Sequence, residues 1–389
     1  MKKMKVLLLT ALSVACILSG CGNNAEETEV PETPVQEEVV ENEPVVEEIV
    51  TDQEPEAGET LPAGKQRSSL TGEIIDESLW KQRPLAIMLP TDKAAQPQYG
   101  IGNAGVLYEC MEEGDMSRQM AIIEDWHGIK TLGNVRSCRD YYVYWALEWD
   151  PILVHFGGPF YLADVTKRED VLNITGCAVN STSTAPGCNA FYRTSDKAVP
   201  HNAYTSGEGL VKECEKLGYG LEHNFDNFRA EHFVFATDAE NTLEQAAGSF
   251  DAKEVSLAKA FPYTKSSLEY DEASGLYKKN LYEAPQCDGT TGEQLTYENV
   301  VIQFAHYEVR DAKGYLSFQC HDTTKDGYYI TNGKAVHVVW GKKNDYSPTR
   351  FYYDDMTQVE FNPGKTFIAV VQNDRSVTID GVEYKSQVK

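Results

Sequence analysis

The chain has 389 residues, a formal net charge of −25 at pH 7 and 41% apolar residues. That is length for about two domains and apolar content for ordinary cores. The charge excludes nucleic acid as a natural partner, because neutralising phosphates needs a basic face. With 22 Tyr and 14 Phe, a wholly disordered chain is excluded too.

Lys2, Lys3 and Lys5 form a basic start, and Val6 to Ile17 form a short apolar run. The run is too short to span about 30 Å of hydrocarbon as a permanent helix. Leu18-Ser19-Gly20-Cys21 follows, with polar Gly22-Asn23-Asn24 behind it, the lipobox order of bacterial lipoprotein signals. Residues 1–20 therefore read as a signal peptide, and Cys21 as the residue that carries lipid such as palmitate. Each buried methylene contributes about 0.8 kcal/mol, so two acyl chains anchor where one does not. An uncleaved anchor helix is the alternative. The expected location is extracytoplasmic, on the outer face of the cell membrane.

Residues 22–64 hold 14 Asp/Glu and no Lys or Arg, whereas 65–389 hold 46 acids and 32 bases. Such like-charged, Pro-punctuated text buries too little apolar area to fold. The stretch 21–64 reads as a lipidated Cys21 followed by a disordered acidic linker, with an end-to-end distance on the order of 35–40 Å. An acidic tail that recruits a cationic partner is the other reading.

Seven cysteines remain beyond Cys21. Cys177 and Cys188 flank a Thr/Ser/Pro/Gly loop and are the easiest pair to join in an exported protein. The odd number leaves at least one thiol unless chains cross-link. There is no Cys-x-x-Cys, so no zinc site of the usual kind is expected, and no cofactor.

From 65 to 262 strands mix with helices. Leu85–Leu89, Gly105–Met111, Gln119–Glu124 and Ile152–Phe156 read as strands. Ser137–Glu148 reads as a helix opened by Ser137-x-x-Asp140. Gly207–Leu217 reads as a second, closed by Gly218. Thr237–Ala247 reads as a third, opened by Thr237-x-x-Glu240. Pro and Gly punctuation between about 262 and 292 marks a change of texture. From there to 389 short β runs dominate: Val300–Phe304, Leu316–Gln319, Tyr328–Ile330, Ala335–Trp340, Arg350–Tyr353 and Thr366–Val371. Asn332-Gly333 is a two-residue hairpin turn. The expected class is α+β, a mixed α/β domain over 65–262 followed by a small antiparallel β domain over 263–389.

Arg83-Pro84-Leu85-Ala86-Ile87-Met88 resembles the opening of the YerB-like bacterial lipoproteins, domain-of-unknown-function family 3048. The similarity continues through Pro97-Gln98, Gly100-Ile101, Tyr108-Glu109, Glu113-Gly114 and Arg118. It then runs through Gly133 to Arg139, His155-Phe156-Gly157-Gly158, Phe191-Tyr192-Arg193 and Pro200-His201-Asn202. Thr291 to Leu295, Arg350-Phe351-Tyr352 and Asn362 to Thr366 match its C-terminal module. The resemblance implies architecture and location but no reaction. It also implies an acidic and amide pair at 89–91, where this chain reads Leu-Pro-Thr.

Arg136-Ser137-Cys138-Arg139 is the best candidate site. If Ser137 caps the helix, free N–H groups and the positive end of the dipole lie beside two guanidinium groups, which suits a carboxylate or phosphate. Arginine grips such anions bidentately. Arg118 and Arg193 join from neighbouring elements. Glu109 and Glu113 belong to the same set, or else pair with the arginines internally, as Asp140 would. His155, before Gly157-Gly158, and His201-Asn202 are candidate acid/base groups. A satisfied structural histidine is the competing reading for each. Ser256-Leu-Ala-Lys259 matches Ser-x-x-Lys without its companion motifs, and Asp322 to Gly327 lacks the closing Glu of a calcium loop. Three functions remain in order: a binder of an anionic small molecule or cell-wall component, an envelope hydrolase or transferase using His155 and His201, and a structural or scaffolding protein.

Overall fold

The computed structural model describes residues 61–177, 185–226, 228, 232–237 and 240–388. The signal segment, Cys21 and the acidic stretch up to 60 lie outside them. Three unbroken apolar runs make the centre of one sheet: β1 (Leu85–Pro90), β2 (Val106–Met111) and β3 (Ser117–Ile123), in which every residue is buried. A strand covered on both faces has no reason to alternate, so it reads as continuous apolar sequence. β4 (Ile152–His155) and β5 (Leu172–Thr175) continue the sheet beside β1.

On the other side come β6 (Asn299–Ala305), β7 (Thr323–Thr331), β8 (Lys334–Lys342) and β9 (Thr366–Gln372). The order is β8-β7-β6-β9-β2-β3-β1-β4-β5, with Phe250–Asp251 and Arg350–Tyr352 both paired to β8, eleven strands in all. The β7–β8 hairpin turns on Asn332 and Gly333, with φ of 51° and 72°, the left-handed pair that a type I′ turn requires. A second, seven-stranded sheet is antiparallel and includes Ser267–Asp271, Leu276–Leu281 and Ser376–Ile379. The class is α+β, with antiparallel pairing prevalent in the C-terminal part.

Three expectations change. The boundary near 262 does not separate two sheets, because β9 pairs in parallel with β2 as well as with β6. β9 is therefore parallel to both neighbours, while β6–β7 and β7–β8 are antiparallel, and the described residues fall in one compact unit. The helix expected from Ser137 begins later, as α1 (Asp140–Ala146), continued by a 3₁₀ turn to Trp149, and its N-cap is Arg139 without a side-chain cap. Residues 136–138 are instead drawn into bonds with the chain after β4: Phe156 N donates to Arg136 O and Cys138 N to Gly157 O. No helix forms over the described part of 237–247. Asn241 is claimed by tertiary contacts there, its N donating to Asn362 Oδ1 at 2.7 Å and its Nδ2 to Glu360 O at 2.7 Å.

α2 (Gly207–Leu217) forms as expected, with Ser206 Oγ accepting Gly209 N at 3.2 Å and Gly218 left-handed at φ 73°. Cys177 and Cys188 are both thiols rather than a disulfide. Cys110 and Cys138 are plain buried residues.

Candidate functional site

β1, β2 and β4 run in one direction, and their carboxyl ends open on the same edge of the sheet, where open α/β sheets present ligand groups. The segment 133–139 crosses that edge. Arg136 N donates to Met88 O at 2.9 Å and Arg136 O accepts from Phe156 N at 2.9 Å. Its side chain is thus set between the ends of β1 and β4.

Two of the four expected arginines are committed to the fold. Arg118, 2% exposed, pairs with Glu112 Oε1 and donates from Nη1 to Ser137 O at 2.9 Å. Arg139 donates from Nε to Glu113 Oε2 at 2.9 Å, and its Nη2 lies 2.9 Å from Glu112 Oε2. Burial raises the Glu112 carboxyl despite the two guanidinium groups. Glu113 is also partly desolvated, yet the bonds from Arg139 hold it below its usual value. Glu112, absent from the expected set, is the bridge between Arg118 and Arg139. Asp140 pairs with Arg310 at 2.6 Å and plays no part.

Ser137 does not cap a helix, because its carbonyl serves Arg118 and its Oγ donates to Phe156 O at 3.3 Å. The helix-dipole argument for the site therefore falls. Arg193 is exposed, lies 4.7 Å from the Phe156 ring and donates to Asn202 Oδ1 at 2.7 Å. Asn202 Nδ2 donates in turn to Thr194 O at 2.8 Å, so Asn202 closes a turn. Glu109 is elsewhere: fully buried, 3.1 Å from Lys279 Nζ, accepting from Ser117 Oγ at 2.7 Å and Ser266 Oγ at 2.9 Å. That ion pair links the two sheets.

His155 is fully buried with Nδ1 2.7 Å from Gly157 O and Nε2 2.7 Å from Asn173 Oδ1. Burial lowers its pKa, so the ring is neutral. Both ring nitrogens face acceptor oxygens, the Gly157 carbonyl and Asn173 Oδ1. Both nitrogens of His155 are thus engaged within the fold.

What remains open is Arg136 and His201. Arg136 is half-buried, makes no ion pair among the described residues, and has a buried Nε without a hydrogen-bond partner. Burial, then Arg118, push its pKa down, while Asp92 and Glu112 oppose. His201, also half-buried, has an unpartnered buried Nδ1. Burial lowers its pKa; Asp92 opposes, and Arg136, Arg118 and Lys197 add to the lowering.

Asp92 enters the site from just beyond β1, one residue past the stretch 89–91 where the resemblance implies an acidic and amide pair. Its Oδ2 is buried and unpartnered, as are Gln96 Oε1, Gln98 Oε1 and Asn134 Oδ1 nearby. Lys197 caps the same loop, donating to Ala95 O at 2.8 Å and Pro97 O at 2.7 Å. Only the acid and amide residues themselves could have signalled these roles.

Two better-formed cavities lie elsewhere. One of about 230 Å³ is lined by Gly102, Asp288, Glu293 and Lys365, and one of about 630 Å³ by Glu240, Leu243, Tyr353 and Asp355. None of their lining side chains has a buried polar atom without a partner, whereas the residues around Arg136 include several. Unmet hydrogen bonds are the better mark of a polar ligand site.

Two family models match the chain. The model described as "Protein of unknown function (DUF3048) N-terminal domain" matches residues 70–220, and its C-terminal counterpart matches residues 257–368. The chain is 26% identical over 311 residues to "Putative lipoprotein YerB" of Bacillus subtilis (strain 168), covering 79% of this chain and 87% of that protein. A crystal structure of YerB protein from Bacillus subtilis is similar with a TM-score of 0.67 at 22% identity, over 81% of this chain and 100% of that one. At that identity the likeness is one of fold.

Proposed function

The chain belongs to the DUF3048 family, and from that premise we propose that it is a lipid-anchored extracytoplasmic lipoprotein that binds an anionic ligand at Arg136. The anchor is supported by the lipobox ending in Cys21 and by a relative that bears the name of a lipoprotein. The lipid partner is the membrane, and the ligand is an anionic small molecule or cell-wall component.

One observation carries the binding reading. Arg118 and Arg139 are neutralised by Glu112 and Glu113, while Arg136, on the same edge, has no ion pair among the described residues and also keeps a buried Nε with nothing to bond. A desolvated, unpaired guanidinium is costly unless an anion completes it. The hydrolase or transferase reading draws less support, because both ring nitrogens of His155 are engaged and His201 alone stays open.

Two experiments test the two parts. Cys21→Ser is expected to move the protein from the detergent-rich to the aqueous phase on phase partition. Retention in the detergent phase would refute the anchor. In a thermal-shift screen of phosphate and acidic wall fragments, hits on the natural chain are expected to vanish in Arg136→Ala. A variant that keeps every hit refutes the site.

A further inference from the structure

Arg136 and Asp92 carry opposite charges and feel one another's field, yet they form no ion pair. Such neighbours ordinarily close into a salt bridge unless the backbone holds them apart. Here it does. Arg136 is fixed by main-chain bonds to Met88 and Phe156. The loop carrying Asp92 is pinned by amides: Gln96 Nε2 and Gln98 Nε2 both donate to Pro90 O, at 3.2 and 2.8 Å, and Asn134 Nδ2 donates to Ala95 O at 2.9 Å.

Those bonds also decide which way each amide faces. A nitrogen must point at a carbonyl, so the three amide oxygens point away and are left buried without partners. Gln98 and Asn134 are 0% exposed. With Asp92 Oδ2 and Glu112 Oε2, the loop and its neighbours hold five buried acceptors without hydrogen-bond partners. Against them stand the unmet donors Arg136 Nε and Arg118 Nε, with His201 Nδ1 able to serve either way. A plain anion would satisfy the donors and leave Asp92 and the amide oxygens unmet. A plain cation would do the reverse and face Arg136.

We infer that the ligand is a small zwitterion, its carboxylate or phosphate seated on Arg136 and its protonated amine on Asp92. This rests on the anion-binding reading of Arg136 and adds the second charge. The separated pair is a template for that charge order, and the amide oxygens supply acceptors for the ammonium hydrogens. A reversed zwitterion meets like charges at both ends, so the order is specified as well as the composition.

The test uses the full chain with defined probes: acetate and ethylamine as single charges, phosphoethanolamine, and glycine, β-alanine and 4-aminobutyrate as a spacing series. Binding is read by calorimetry and thermal shift. One zwitterion is expected to bind more tightly than acetate and ethylamine taken together. Asp92→Asn should weaken that zwitterion about tenfold or more and leave acetate unchanged, with the unliganded Tm preserved as evidence of folding. Arg136→Ala should weaken both. If acetate or phosphate binds as well as the best zwitterion, or Asp92→Asn changes nothing, the inference is overturned and the anion reading stands. If no probe binds, or Arg136→Ala keeps every hit, both fall and the unmet groups are simply hydrated.

Discussion

Glutamine in place of Glu112 is expected to lower stability by about 3 kcal/mol, a fall in Tm of roughly 6–10 °C. The Glu112 side chain is 6% exposed and is shared by the side chains of Arg118 and Arg139, 3% and 8% exposed. Burial makes the ionised carboxylate itself costly, so the loss falls on the guanidinium groups: glutamine turns an NH2 donor toward one of them and leaves Glu113 as the one remaining acid beside two buried cations. Glu113→Gln supplies the control. Its side chain is 26% exposed and contacts Arg139 alone, so water offsets much of the loss, and about 1 kcal/mol is expected. Denaturant unfolding of both variants decides the matter. Equal losses would mean that the shared carboxylate at 112 is not what neutralises the patch. The comparison also bears on function, because only a neutralised Arg118 and Arg139 leave Arg136 as the group that seeks an anion.

The arginine cluster was legible as a cluster and illegible as a circuit. Strand alternation explains one misassignment. Arg118 stands opposite Cys110 in the β2–β3 ladder, and Glu109 stands opposite Gln119. Glu109 therefore faces the other side of the sheet from Arg118 and meets Lys279 instead. A one-residue difference in register would have reversed the pairing, and register is not written in either strand alone. Glu112 and Glu113 lie beyond the strand end, where no periodicity assigns a face. Asp92 and His201 matter through atoms that lack partners, a property only the assembled loops possess.

The fold divides along the same line. β1, β6 and β9 were readable because full burial writes continuous apolar sequence, and α2 because Ser206 and Gly218 bound it. The joining of β9 to β2 was not, since Thr366 pairs with Val106 across the length of the chain and local pattern says nothing of distant partners. Where local signals misled, a tertiary bond was the stronger competitor: the chain after β4 took residues 136–138 from α1, and Asn362 took Asn241 from the expected third helix.

The second large effect is expected at Lys342, fully buried against Glu148 with Nζ 3.2 Å from Oε2. Glu148 also accepts from Thr349 N and Oγ1 at 2.8 Å each and from Tyr108 OH at 2.8 Å, and His232 Nε2 lies 3.2 Å away. Burial alone would raise the carboxyl, but Lys342 and then His232 outweigh it and hold its pKa well below the usual range. Lys342→Met removes the compensating charge and should cost about 3–5 kcal/mol at pH 7.

The pH dependence separates this cause from lost packing. In the natural chain Glu148 contributes stability that is present above its unfolded value of 4.5 and lost as pH falls through the lower folded one. Burial drives His232 down from 6.5 to about 4 despite Glu148. The unfolded chain therefore takes up a proton that the fold refuses, and stability declines between pH 6.5 and 4 by up to about 3 kcal/mol. In Lys342→Met the burial of Glu148 is opposed only by His232 and its hydrogen bonds, so its pKa rises. The variant's deficit is then full above that raised value and shrinks as the carboxyl takes a proton. Urea unfolding at pH 7 and at pH 5 should show the gap between natural chain and variant narrowing on acidification. A gap that stays constant would assign the loss to packing around the lysine stem, and adding Glu148→Gln to the variant would then recover nothing.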